Sequence, residues 1–319
     1  MGVPDTVTKE YVGRDDIFAD IVNYTLFQGE PRVCGKDLEE RDVAELFSWT
    51  DKSGKQQALQ VTRDLLKLCV CKSFHGLDIL LLVGIENQTN IHYAMPVRNL
   101  MADAMNYSGQ VKRIAHEHEE SHDLRDGDEY LSGFSRRDHI MPVITITVYF
   151  GSKPWDGPRS LFEMFDIEDQ EILKYVSDYK LNLIVPAEIA DPEKFRTSFG
   201  SVMSFIASSH DKSKMKELLK KNSGFRLNDR DARRVIESCT STKIDEDYYT
   251  DEGGINMCKA WEDYRLEGKE EGLEAGRLDS IVFSIQSLKK TLHLSITEAM
   301  DALCVSAEDR NKIQHRIQM

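Results

Sequence analysis

The sequence predicts a mixed α/β fold, a sheet flanked by helices with a mostly helical C-terminal region. Three observations carry this. The run Ile79-Leu80-Leu81-Leu82-Val83-Gly84-Ile85 holds no charge and is rich in branched residues, the mark of a strand covered on both faces. Apolar residues within 14–28 and 96–114 recur at helical spacing. From about residue 191 onward the pattern is helical, with no β alternation.

Taken in order, residues 14–28 carry Ile17, Phe18, Ile21, Val22 and Leu26 on a helical stripe, with Asp20 and Asn23 near one face. Residues 30–61 read as a short β segment, in which Phe47-Ser48-Trp49 leads into a turn at Asp51-Lys52-Ser53-Gly54. Asp64 opens a second apolar run, Leu65 to Val70. Ser73, His75, Gly76 and Asp78 then supply a hairpin turn into the run at Ile79.

Antiparallel pairing sets the start of the first strand beside the end of the second, so Asp64 is expected next to Glu86. Residues two apart on a strand face the same side. Glu86 and Gln88 therefore point together, while Asn87 offers backbone there. Two carboxylates converging with a carbonyl form an all-oxygen site suited to Mg²⁺ or Mn²⁺. Such an ion activates water and steadies a phosphoryl oxygen. The plain alternative is a pair of solvated carboxylates at a strand end.

A helix follows from about residue 96 to 114, with Pro96 in its first turn and Val97, Leu100, Met101, Ala104 and Met105 on its apolar face. Arg98 is placed to reach a phosphate, brace Glu86 or cap a carbonyl, and Tyr107 is a candidate substrate contact further along. His116, His118 and His122 stand among Glu119, Glu120, Asp123, Asp126 and Asp128, and read as a solvated loop rather than a metal cluster. Val143 to Phe150 is a strand by propensity, and Leu181 to Val185 is a further one. Gly268, Gly272 and Gly276 leave a smooth stripe on the helix 261–278, either a contact between subunits or a frayed linker. The tail 280–319 is amphipathic, through Ile281, Phe283, Ile285, Leu288, Ile296, Met300 and Leu303.

The chain has 319 residues, enough for a core of 1–190, a helical extension of 191–260 and a helical tail of 261–319. Its six cysteines show no Cys-x-x-Cys spacing, which argues against zinc and for reduced thiols. A polar opening and no apolar run of bilayer length make a cytoplasmic protein without signal peptide or membrane partner the expectation. The net charge of −14 excludes indiscriminate coating of DNA. That charge sits in residues 116–130 and 245–279, which leaves the rest neutral and a basic stretch at 211–234. Lys214, Lys216, Lys220, Lys221, Arg230, Arg233 and Arg234 there read first as a solvated helix surface and second as a phosphate patch.

The block Gly84 to Leu100, with Glu86-Asn87-Gln88 and Met95-Pro96-Val97-Arg98 inside it, resembles the PD-(D/E)XK nuclease family transposases, the bacterial recombination-promoting nuclease group. Asp103 to Tyr107, Gln110, Phe18 to Tyr24, Leu26 to Gly29, Leu38-Glu39-Glu40, Arg63-Asp64, Pro142 to Gly151 and Pro154-Trp155 are similar to the same family, as are the spaced glycines. The likeness runs from about residue 10 to 278. It implies a restriction-endonuclease-like core and metal-dependent DNA cleavage. Asp64 matches the first acid of the motif and Glu86 the second. Gln88 stands where the wider superfamily has Lys, as in this transposase branch, and it offers hydrogen bonds but no charge. Asp20 is the acid from the first helix that would approach the metal.

The expectation is a bacterial, Mg²⁺- or Mn²⁺-dependent DNA endonuclease linked to recombination or mobile elements. Asp64 and Glu86 bind metal, Asn87 lends a carbonyl, Gln88 orients water and Asp20 assists. The alternative is a catalytically inactive nuclease-fold module that binds DNA or protein.

Overall fold

The computed structural model describes residues 3–42, 44–50, 56–72, 78–167, 169–221, 226–227, 229–240, 255–306, 309–310 and 312–313. The elements in chain order are α1 (Val3–Gly13), α2 (Asp15–Phe27), β1 (Leu38–Glu40), β2 (Ala44–Thr50), β3 (Gln56–Thr62), β4 (Leu65–Lys72) and β5 (Asp78–Gln88). Then come α3 (Met95–Ser121), α4 (Gly127–Ser132), β6 (Val143–Tyr149), α5 (Gln170–Leu173), β7 (Asn182–Ile184), α6 (Phe199–Ser208) and α7 (Lys212–Lys221). The chain ends with β8 (Arg226–Leu227), α8 (Arg230–Thr240), β9 (Ile255–Asn256), α9 (Met257–Leu292) and α10 (Ile296–Ala302).

A five-stranded mixed sheet of order β1-β4-β5-β6-β7 is flanked by helices. β4 pairs antiparallel with β1 and β5, whereas β6 runs parallel to β5 and β7. β2 and β3 form a separate antiparallel hairpin across the predicted 51–54 turn. That turn, and residues Ser73, His75 and Gly76 of the β4–β5 turn, lie outside the described residues.

The apolar run of β5 is buried only from Leu81 onward; Ile79 and Leu80 are 49 % and 46 % exposed. The cause is register. β6 begins opposite Leu82, so the first residues of β5 have β4 alone as a neighbour.

α3 crosses β6 in the opposite direction along a ladder of contacts. Asn99 Nδ2 donates to Thr147 Oγ1 at 2.9 Å. Thr145 Oγ1 donates to Asp103 Oδ1 at 2.6 Å. Val143 N donates to the Tyr107 hydroxyl at 2.9 Å, and Met141 N to Gln110 Oε1 at 2.7 Å. Four helical residues rise about 6 Å and two strand residues about 6.6 Å, so each turn of α3 meets the next inward-facing residue of β6.

Beneath the ladder lies Arg63, fully buried. Its guanidinium pairs with Asp103 at 2.7 Å and donates to Thr145 Oγ1, while Tyr179 donates to the other Asp103 oxygen. Gly84 makes room for it, because a Cβ there would overlap the Arg63 Nη1.

The polar start of the chain conceals α1, whose Val7, Tyr11 and Val12 are buried at helical spacing. α2 buries Ile17, Phe18, Ile21 and Val22, as the stripe predicts, and ends at Gln28 in the left-handed region (φ 56°).

The chain forms two compact units, the first holding residues up to 244 and the second running from Asn256 on. The helical extension expected from residue 191 begins inside the first of these units. α6 and α8 pack against helices of the first unit, α8 on α1 and α6 on α2, so the 191–240 stretch completes that unit. The two-residue strands β8 and β9 interrupt the predicted all-helical pattern.

In the second unit, Leu278, Ile285, Ala299, Met300, Val305 and Ile313 form a core. Phe283, expected on that face, is instead exposed. Gly272 and Gly276 have open space where a side chain would project. Among the described residues no helix is long and apolar enough to cross a membrane.

Candidate active site

The β4–β5 register pairs Leu65 with Ile85, and one step further sets Asp64 beside Glu86. Glu86 Oε1 lies 3.4 Å from Asp64 N, and Asn87 N donates to Asp64 Oδ2 at 2.9 Å. Glu86 thus sits against the backbone of Asp64, and Asp64 against that of Asn87. Asn87 contributes its N–H to this arrangement, holding Asp64 in place.

Arg98, in the first turn of α3, donates to Glu86 Oε2 at 3.1 Å. Among the three contacts open to it from sequence, this one is the brace on Glu86. Asp5, Asp64, Asn87, Gln88, His92 and Arg98 line a cleft of about 320 Å³. Gln88 lies two residues beyond Glu86 on the same strand.

Two expected site residues stand elsewhere. Asp20 accepts from Arg196 N, Thr197 N and Thr197 Oγ1 at 2.6–3.0 Å, fixing the entry to α6. Its carboxylate serves that loop and not the Asp64–Glu86 pair. Tyr107 is bonded to Val143 at the start of β6, whereas Glu86 is opposite Thr147, four residues on. It belongs to the apolar cluster of Leu66, Leu82 and Val143, away from the cleft.

Asp5 is the cleft acid that sequence reasoning missed. It reaches the site from α1 and accepts from Thr89 Oγ1 at 2.7 Å. The buried stripe Val7-Tyr11 was the available signal for its helix. His92 was also missed; among the described residues its buried Nδ1 has no hydrogen-bond partner, nor do the two amide atoms of the Asn87 side chain.

The histidine stretch is not a loop throughout. α3 continues to Ser121, because no helix-breaking residue intervenes, and His118 is clasped by Asp123 at 2.5 Å and Asp138 at 2.8 Å. Those carboxylates hold its imidazole above the ordinary histidine range. The basic stretch is partly neutralised from outside it, as Arg233 pairs with Glu237 and Arg234 with Glu10 of α1. The side chains of Lys216, Lys220 and Lys221 lie outside the described residues.

The Glu86 carboxyl is pushed up to about 7, first by burial and then by the Asp64 charge; Arg98 and Arg63 pull it the other way. A carboxyl raised on folding binds its proton more tightly in the folded chain. Its contribution is therefore full below the unfolded value of 4.5 and is lost as pH rises through about 7. Glu86→Gln, which cannot ionise, is expected to lose less melting temperature than the wild-type chain between about pH 5 and pH 8. An equal loss in both would place the titration on another group.

The donor set fits a hard divalent cation. Asp64 and Glu86 supply oxygen donors from neighbouring strand ends, and Mg²⁺ needs only one or two carboxylates with water completing its shell. They form a pair and not a triad: among the described residues no group of three or more His, Cys, Asp or Glu is placed to hold an ion. In comparisons with family models, curated proteins and solved structures, nothing matches this chain.

Proposed function

We propose that this chain is a bacterial, cytoplasmic, Mg²⁺- or Mn²⁺-dependent DNA endonuclease that hydrolyses phosphodiester bonds in recombination or mobile-element DNA. One observation carries the reading: at the paired ends of β4 and β5, Asp64 lines an open cleft and Glu86 lies buried beside it, braced by Arg98. The antiparallel β4–β5 pair, followed by α3 and the parallel strand β6, supports a restriction-endonuclease-like core.

Asp64 and Glu86 would hold the metal. Bound there, it would activate water and withdraw charge from the phosphoryl oxygens. Asn87 N–H fixes the Asp64 carboxylate. Gln88 can orient a water by donating and accepting hydrogen bonds, and it supplies no charge. Asp5 and Asp64 outnumber Arg98 among the charged residues of the cleft, so a cation at the site would favour the approach of DNA.

Nicking of supercoiled plasmid in Mg²⁺ or Mn²⁺ and not in EDTA tests the reading. No cutting by folded protein under either metal would favour the second reading, a catalytically inactive DNA- or protein-binding module. The net charge of −14 and the neutral Gln88 favour that alternative. Self-association through the glycine face of α9 is part of the proposal, supported by the open space over Gly272 and Gly276. Light scattering of a chain ending before Trp261 checks it: the mass should fall to that of one chain, and an unchanged state of association removes the idea.

A further inference from the structure

We propose that Arg98 is a two-position cation. It neutralises Glu86 while the acid pair carries no metal, and a divalent cation at Asp64 and Glu86 releases it to a phosphate of the DNA substrate. This rests on reading the pair as a metal site.

Glu86 has its side chain 3 % exposed and Arg98 its own 39 % exposed, so a buried carboxylate is held by a cation that projects into the cleft. Arg98 Nη2 meets Glu86 Oε2 at 3.1 Å, and among the described residues this is the hydrogen bond that its guanidinium makes. The nearby alternative cation is committed, since Arg63 is locked to Asp103 and Thr145. Glu86 therefore depends on Arg98 for a close opposite charge.

A divalent ion at the same carboxylates removes that need and repels the guanidinium. The freed side chain stays on the cleft wall, where its planar fork matches phosphate oxygens in a way an ammonium does not. One residue then does in sequence what a fixed cation would do badly: a fixed one would exclude the metal or lie too deep for the phosphate.

The test is Mn²⁺ binding, followed by electron paramagnetic resonance of the free ion, in wild type, Arg98→Gln and Arg98→Lys. Removing the competitor should tighten Mn²⁺ binding about tenfold in Arg98→Gln, the weight of one charge-assisted hydrogen bond. The same variant should bind a short DNA duplex about tenfold more weakly when Ca²⁺ supports binding without cleavage. Arg98→Lys should keep Mn²⁺ affinity near wild type and recover only part of the duplex affinity. Unchanged or weaker Mn²⁺ binding in Arg98→Gln would overturn the proposal and leave Arg98 a static brace. Failure of the metal-site reading shows separately, as Mn²⁺ binding that Asp64→Asn does not weaken.

Discussion

Asp64→Asn is expected to lower metal-stimulated nicking of supercoiled plasmid by about 10²-fold or more, with the fold intact. The substitution keeps an oxygen able to accept from Asn87 N, which now bonds Asp64 Oδ2 at 2.9 Å, so the strand end stays closed. What disappears is half of the anionic charge available to a cation. A second effect follows from the same change. The Asp64 charge is one of the two causes that raise Glu86, so Glu86 in the variant should titrate nearer its ordinary value. Circular dichroism of the variant establishes the fold, and the nicking rate reads the site. Cutting at the wild-type rate by the folded variant would remove Asp64 from the chemistry.

The largest expected loss of stability is at Asp103. Asp103→Ala leaves the Arg63 guanidinium fully buried with Thr145 as its remaining partner, and it strips the Tyr179 hydroxyl of its acceptor. Breaking a buried ion pair from one side costs about 3–5 kcal/mol, because the surviving charge is uncompensated. Urea unfolding of the variant beside wild type measures this. A cost below about 1 kcal/mol would mean that water reaches Arg63 and that the pair does not organise the core.

What the sequence revealed of the site was its local part. Asp64 and Glu86 are joined by a single hairpin, and side-chain alternation along β5 puts Glu86 and Gln88 on one side without reference to the rest of the chain. Arg98 follows by a short connection into α3, so its nearness was legible while its choice of partner was not. Asp20 was misread because its partners lie 176 and 177 residues away, and no periodicity in the sequence reports such a contact. Tyr107 was misread because a helix crossing a strand meets it at both ends, and only the direction of crossing says which end holds the site. Asp5 was hidden by a helix whose buried face is a narrow stripe in a polar segment. The mixed α/β class and the flanking helices were readable from run lengths and spacing, whereas the sheet order needed β1, a three-residue strand too short to carry a pattern.

The ladder between α3 and β6 works as a vernier. The two scales differ by about 0.6 Å per step, so they stay in coincidence over a few rungs and no more. Arg98 stands just before the first rung and Asp103 grips the second, which makes the helix between them a rigid gauge of how far the guanidinium reaches. Adding one residue to that gauge would swing Arg98 about 100° around the helix axis and off Glu86, even with every side chain kept. The length of chain between Arg98 and Asp103 is thus as much a constraint on the site as the identity of its acids, and the buried Arg63–Asp103 lock is where that length is zeroed.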